Sequence, residues 1–277
     1  MNLLQYGFGT CHNWSPFKRR THLEVTEKDI ELKTKDGEMP AAVYTPAGGG
    51  KHPAIIVIQE AFGVNGYVKS TAKRFAEQGY ITIAPEMFYR SGKHLDVPYS
   101  DFPKAREYIM KLMDDGILSD LTTVMEQLKN MPNLLEDRVG IVGYCMGGRI
   151  AFLAACSLPG IKASAVYYGG GIMPAQQQPG GQPPRPGTIE KLAGINCPII
   201  SFWGGKDQGT PFTAVDEFEK RLVSAGKSVQ VHKYPDAEHG FFTYDRQSYS
   251  KAASDDAWPK TVNFFNQHLQ RASVGSR

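Results

Sequence analysis

The chain has 277 residues, of which 41% are apolar and 21% charged. These are ordinary globular values and exclude global disorder and fibrous repeats. No apolar run approaches the roughly 18 residues of a membrane-spanning helix, and a net charge of +3 is too small to argue for a nucleic-acid partner.

Residues 1–20 have no period and read as a tail. Their first ten positions lack the basic start and long apolar stretch of a secretion signal, so a cytoplasmic protein is expected. The cysteines, Cys11, Cys145, Cys156 and Cys197, form no C-x-x-C pair and none has a histidine at zinc-finger spacing. Neither a disulfide framework nor a metal site is implied.

Asp29–Lys35 alternates polar and apolar residues, and Ala41–Thr45 follows a Lys-Asp-Gly turn, which predicts an antiparallel start. Continuous apolar runs of strand length come next, at 54–58, 80–84, 139–142, 163–168, 199–203 and 229–232. Such runs suit parallel strands buried on both faces. Amphipathic segments at about 67–78, 103–113, 117–131, 147–157, 212–225 and 256–270 separate most of them. The alternation predicts one α/β domain over 21–272, with about eight strands in a mostly parallel sheet and helices on both faces. Residues 172–187, rich in Pro and Gln, read as an inserted surface loop, and 273–277 as a second tail.

The strongest chemical signal is Val142-Gly143-Tyr144-Cys145-Met146-Gly147-Gly148, which runs from the end of a buried strand into a helix. Glycine-x-nucleophile-x-glycine in that setting is a nucleophile elbow. Bulky side chains at 143 and 147 would clash with strand and helix, whereas glycine lets the nucleophile stand above the sheet in a strained conformation. A thiolate at Cys145 gains from the helix N-terminus. Asp207, in Gly-Gly-Lys-Asp, and His239, in Glu-His-Gly-Phe-Phe, follow the next strands in the order nucleophile, acid, histidine. All three fall at carboxyl ends of parallel strands, where open α/β sheets place their sites. Cys145 is expected to attack, His239 to move the proton, and Asp207 to orient the ring.

Gln59-Glu60-Ala61-Phe62-Gly63 follows the strand 54–58. Loops there donate one oxyanion-hole N–H and the residue after the nucleophile the other, so the amides of Ala61 and Met146 are the expected donors. Glu60 is the odd member, because a carboxylate beside an oxyanion hole repels the developing charge unless it moves or is neutral. It reads as a group that keeps the resting thiol protonated and turns base when substrate binds. Phe62 and Tyr144, flanking these positions, are expected to line the substrate.

Together these motifs resemble the dienelactone hydrolase (carboxymethylenebutenolidase) family over roughly residues 25–270. The resemblance implies the α/β-hydrolase fold, a Cys–His–Asp triad, a glutamate gating the thiol at Glu60, and no cofactor or metal. It also implies an arginine for the substrate carboxylate at Arg90. Four residues past the histidine, where the family's best-studied pattern has a second arginine, this chain has Thr243, and the nearest arginine is Arg246. The expected activity is cleavage of a small ester or lactone through a thioester on Cys145, by a monomer or small homo-oligomer. One rival is a general esterase on the same site with a substrate unlike dienelactone. Another is a non-catalytic protein whose Cys145 is a redox thiol.

Overall fold

The computed structural model describes residues 23–174 and 186–270. The two tails and most of the Pro/Gln-rich insertion therefore lie outside the described residues.

The described chain opens with strands β1 (Val25–Thr34) and β2 (Gly37–Pro46), joined by Lys35-Asp36 and paired antiparallel. Gly37 supplies φ +130°, which few other residues tolerate. Six more strands follow: β3 (His52–Ile58), β4 (Ile81–Pro85), β5 (Leu134–Tyr144), β6 (Ile161–Tyr167), β7 (Ile199–Gly204) and β8 (Val229–Tyr234). They form one eight-stranded sheet in the order β1-β2-β4-β3-β5-β6-β7-β8. Only β2 runs against the rest.

Burial on both faces follows from strand alternation. In β3, Ile55 and Val57 enter one core while Ala54, Ile56 and Ile58 enter the other. Helices α1 (Gly66–Ala76) and α6 (Lys251–Phe265) cover the first face, through Val68, Phe75, Phe264 and Phe265. On the second face α3 (Asp114–Lys129), α4 (Met146–Ser157) and α5 (Phe212–Ser224) pack Leu121, Ile150 and Phe218. The short α2 (Phe102–Ile109) packs Ala105 beside the β3 loop.

Two elements differ from expectation. Helix α6 starts at Lys251, not 256, because the Ser250 hydroxyl caps it by accepting the Ala253 N–H at 3.4 Å. A 3-10 turn, Thr188–Gly194, follows the insertion, whose ends meet through Ile189 N–H to Ile172 C=O at 2.9 Å.

The chain leaves β3 toward β4 on one side and returns to β5 on the other. This reversal opens a crevice at the carboxyl ends of β3 and β5, the usual ligand position in open α/β sheets.

Candidate active site

Cys145 sits at the mouth of that crevice, between β5 and α4, where the two cores meet. Its backbone has φ +55° and ψ −119°, a conformation L residues rarely adopt. The surroundings enforce it. A Cβ on Gly143 would lie 1.9 Å from the Gly147 carbonyl oxygen, and one on Gly147 would lie 2.4 Å from that of Gln59. The Cys145 N–H donates to Tyr167 C=O at 3.1 Å, tying the turn to β6. Met146 opens α4, so its N–H has no acceptor within the helix.

Asp207 and His239 meet because the loops after β7 and β8 pack backbone to backbone. A Cβ on Gly204 or Gly205 would lie within 2.5 Å of a carbonyl oxygen of the β8 loop, and Lys206 N–H donates to Ala237 C=O at 2.9 Å. Asp207 Oδ2 stands 2.7 Å from His239 Nδ1, while Oδ1 accepts the Gly209 and Thr210 amides at 2.9 and 3.3 Å. Burial works to raise the Asp207 pKa, but the bond to His239, the charge of that ring and the two amides outweigh it and hold the carboxyl below its usual range. For His239, burial works against the charged ring, yet the Cys145 sulfur and Asp207 push it up to about 10. The ring thus has one nitrogen on Asp207 and feels the sulfur as its strongest favourable partner, the arrangement a proton shuttle needs.

Among the described residues, the other two thiols, Cys156 and Cys197, differ from Cys145 in burial. Both are buried, and burial pushes Cys156 up to about 12 and Cys197 up to about 11.

The β3 loop is pinned at both ends. Gln59 Oε1 accepts the Met87 N–H at 3.1 Å, and Phe62 C=O accepts the Val97 N–H at 3.0 Å. Between them Glu60 is buried, and its Oε1 has no hydrogen-bond partner among the described residues. Burial raises its pKa and favours the neutral acid; Arg246 and His239 pull the other way and do not overcome it.

Arg246 is the residue that sequence reasoning did not assign. Its Nη1 lies 3.5 Å from Glu60 Oε2, and its guanidinium lies over Phe62 and Tyr99, 5.3 and 5.9 Å from the ring centres. Successive three-residue turns carry it there: Thr243 N–H donates to Gly240 C=O and Arg246 N–H to Thr243 C=O, both at 3.1 Å. In such turns residues three apart eclipse, so Arg246 shares the side of Thr243. Gly240, at φ +78°, leaves the room; a Cβ there would be 2.2 Å from Arg246 Nη1.

Tyr168 is a second unassigned neighbour. It directly follows β6 at φ +37°, and its ring lies 5.1 Å from that of His239. Its hydroxyl, with those of Tyr144 and Thr243, is buried without a hydrogen-bond partner among the described residues.

Arg90 and Tyr144 are placed differently from expectation. Arg90 gives its donors to Asp36 (2.6 and 2.9 Å) and to buried Asp120 (2.7 and 2.9 Å), at the hairpin and α3. Two carboxylates already occupy its fork, so it is not poised for a substrate anion. Tyr144, 1% exposed, stacks on Phe242 within the core rather than lining the crevice, because alternation along β5 turns it inward. Phe62 is buried as well and supports Arg246.

Comparison with known proteins agrees with this frame. The family model described as "Dienelactone hydrolase family" matches residues 39–269. A Synechocystis protein named "Putative carboxymethylenebutenolidase" is 35% identical over 245 residues, covering 87% of this chain and 96% of that one. A Methylorubrum extorquens protein of the same name is 31% identical over 240 residues, covering 87% and 80%. A solved structure titled "Putative Dienelactone Hydrolase" from Klebsiella pneumoniae superposes with TM-score 0.78 at 28% identity, covering 88% of this chain and all of that one. Sheet order, elbow and relatives converge, and the chain belongs to the dienelactone hydrolase family, hydrolases of the α/β-hydrolase fold.

Proposed function

We propose that the protein hydrolyses a small ester or lactone through a thioester on Cys145, with His239 as proton shuttle and Asp207 as its orienting partner. The observation that carries this reading is the strained elbow at Cys145 combined with the 2.7 Å contact between Asp207 and a His239 ring whose charged form the sulfur favours. The thiolate forms a C–S bond to the carbonyl carbon. The carbonyl electron pair is held by the amides of Met146 and Ala61. The C–O bond then breaks, and the leaving oxygen takes a proton from His239. Water, deprotonated by the same ring, adds to the thioester carbon; the C–S bond breaks and the acid leaves.

Glu60 and Arg246 fit a gate on the first step. Arg246 is the cation nearest the Glu60 carboxylate. A substrate carboxylate that took Arg246 would leave Glu60 in an apolar site with its stabilising partner withdrawn. Its proton affinity would rise, favouring the neutral acid and removing the charge that opposes a thiolate, while the Cys145 proton passes to His239, which later gives it to the leaving oxygen. The names of the relatives favour a lactone or ester of this small anionic kind.

Intact-mass spectrometry during p-nitrophenyl acetate turnover tests the reading. An acetyl adduct on the wild type that disappears in Cys145→Ala, together with turnover, is expected. Undiminished turnover in Cys145→Ala would refute it.

A further inference from the structure

Met146, the residue after Cys145, borders a second space near the site. A cavity of about 830 Å³ opens there, over the ends of β6 and β7. This is within the roughly 300–1,000 Å³ range of pockets that take drug-sized ligands. Its inner wall begins at Met146, the residue that follows the nucleophile, and at Gln208–Pro211, the loop that holds Asp207. Its outer walls come from the end of α2, the start of α3, Met173 and the first turn of α5.

The lining is adaptable and carries no free cation among the described residues. Met110, Met113, Met146 and Met173 all face it, and thioether side chains repack around varied apolar shapes. Arg149 is taken by Asp114 at 2.7 Å. Asp115, exposed at the start of α3, adds a negative charge. An anionic group is therefore disfavoured in this cavity, whereas Arg246, which is not among its lining residues, lies beside Glu60 of the β3 loop.

We infer that this cavity receives the alcohol half of the substrate, so that the preferred substrates are esters of a short acid with an apolar alcohol; this rests on the thioester reading above. The direction follows from the histidine. The leaving oxygen must take its proton from His239, and His239 is held by Asp207, whose own loop forms the inner wall. When the C–O bond breaks, the alcohol is released into the cavity, while the short acyl group stays on sulfur, on the side of Glu60 and Phe62. Water then cleaves the C–S bond.

Two isomeric esters test this with apolar content held constant: hexyl acetate, with its chain on the alcohol, and ethyl hexanoate, with its chain on the acid. One buried methylene gives about four-fold in affinity, so even partial burial of the hexyl chain should favour hexyl acetate by ten-fold or more in kcat/KM. Ala214→Trp fills the cavity from α5, and Met113→Glu charges its wall from an exposed position. Either should shrink that preference to within two- to three-fold. Equal rates for the isomers, or a preference that both variants retain, would overturn the assignment while leaving Cys145 chemistry intact. Absence of any Cys145-dependent turnover of p-nitrophenyl acetate would overturn the thioester reading and this one with it.

Discussion

Arg246 Nη1 lies 3.5 Å from Oε2 of Glu60, a buried carboxylate beside the candidate nucleophile. The two are 186 positions apart in sequence. Burial still prevails over this partner and keeps Glu60 biased toward its neutral acid.

Glu60→Gln should stabilise the protein in a pH-dependent way. The folded pKa is raised, so the wild type's advantage is complete below the ordinary glutamate value of 4.5 and is lost as pH rises above it. The Tm difference, glutamine minus wild type, should therefore grow from pH 4.5 upward and level off once the folded-state group has ionised. The same variant should alkylate faster at Cys145 with iodoacetamide at pH 7, since no carboxylate then opposes the thiolate. A Tm difference flat across pH 4–9 would show that Glu60 is not perturbed.

The His239 ring should respond to removal of the sulfur. Cys145 is the strongest of the groups that favour its charged form, so in Cys145→Ala the ring should titrate well below about 10, toward 6.5. NMR of the ring protons measures this directly. Asp207→Asn should lower it too, and should cost on the order of 10²–10⁴-fold in kcat by releasing the tautomer. An unchanged midpoint in both variants would separate His239 from Cys145 and Asp207.

The two arginines should fail in different ways. Arg246→Ala should reduce kcat/KM for a carboxylate-bearing lactone relative to a neutral ester by about ten-fold or more, the worth of a charge-assisted contact. Arg90→Ala should instead unfold the protein more easily, by about 3 kcal/mol, because it leaves buried Asp120 without its cation. Urea melts and paired kinetics distinguish them; a substrate-selective loss in Arg90→Ala with unchanged stability would reverse the assignment.

The elbow glycines should not tolerate even a methyl group. Gly143→Ala would set Cβ 1.9 Å from a backbone oxygen that cannot swing away, at a cost of about 3 kcal/mol or more. Gly170→Ala, with nothing within 4 Å, should stay within about 0.5 kcal/mol of wild type. Thermal melts of both are enough to check the contrast.

Much of this molecule was readable before folding because the signals are local. The run Ala54–Ile58 is apolar at every position since both faces of β3 are covered, and Gly143 and Gly147 bracket Cys145 because the turn has no space for side chains. Asp207 and His239 could be picked out by their place just beyond predicted strands, although β8, expected to be covered on both faces, is a half-buried edge strand because no strand pairs its outer side. Which loops then meet is a different matter. Gly204 and Gly205 showed a turn, but only the sheet order brings that turn against Ala237 and so Asp207 to His239. Arg90 carries a motif's position yet folds onto Asp120 from α3, a carboxylate no local pattern connects to it. Arg246 has no motif at all; it reaches Glu60 through consecutive turns after Gly240. Local sequence set the strands, the turns and the strained elbow at Cys145, because these depend on neighbours along the chain. Charge partners and cavity walls came from tertiary structure alone, because they depend on which distant segments the packed sheet brings within a few ångströms.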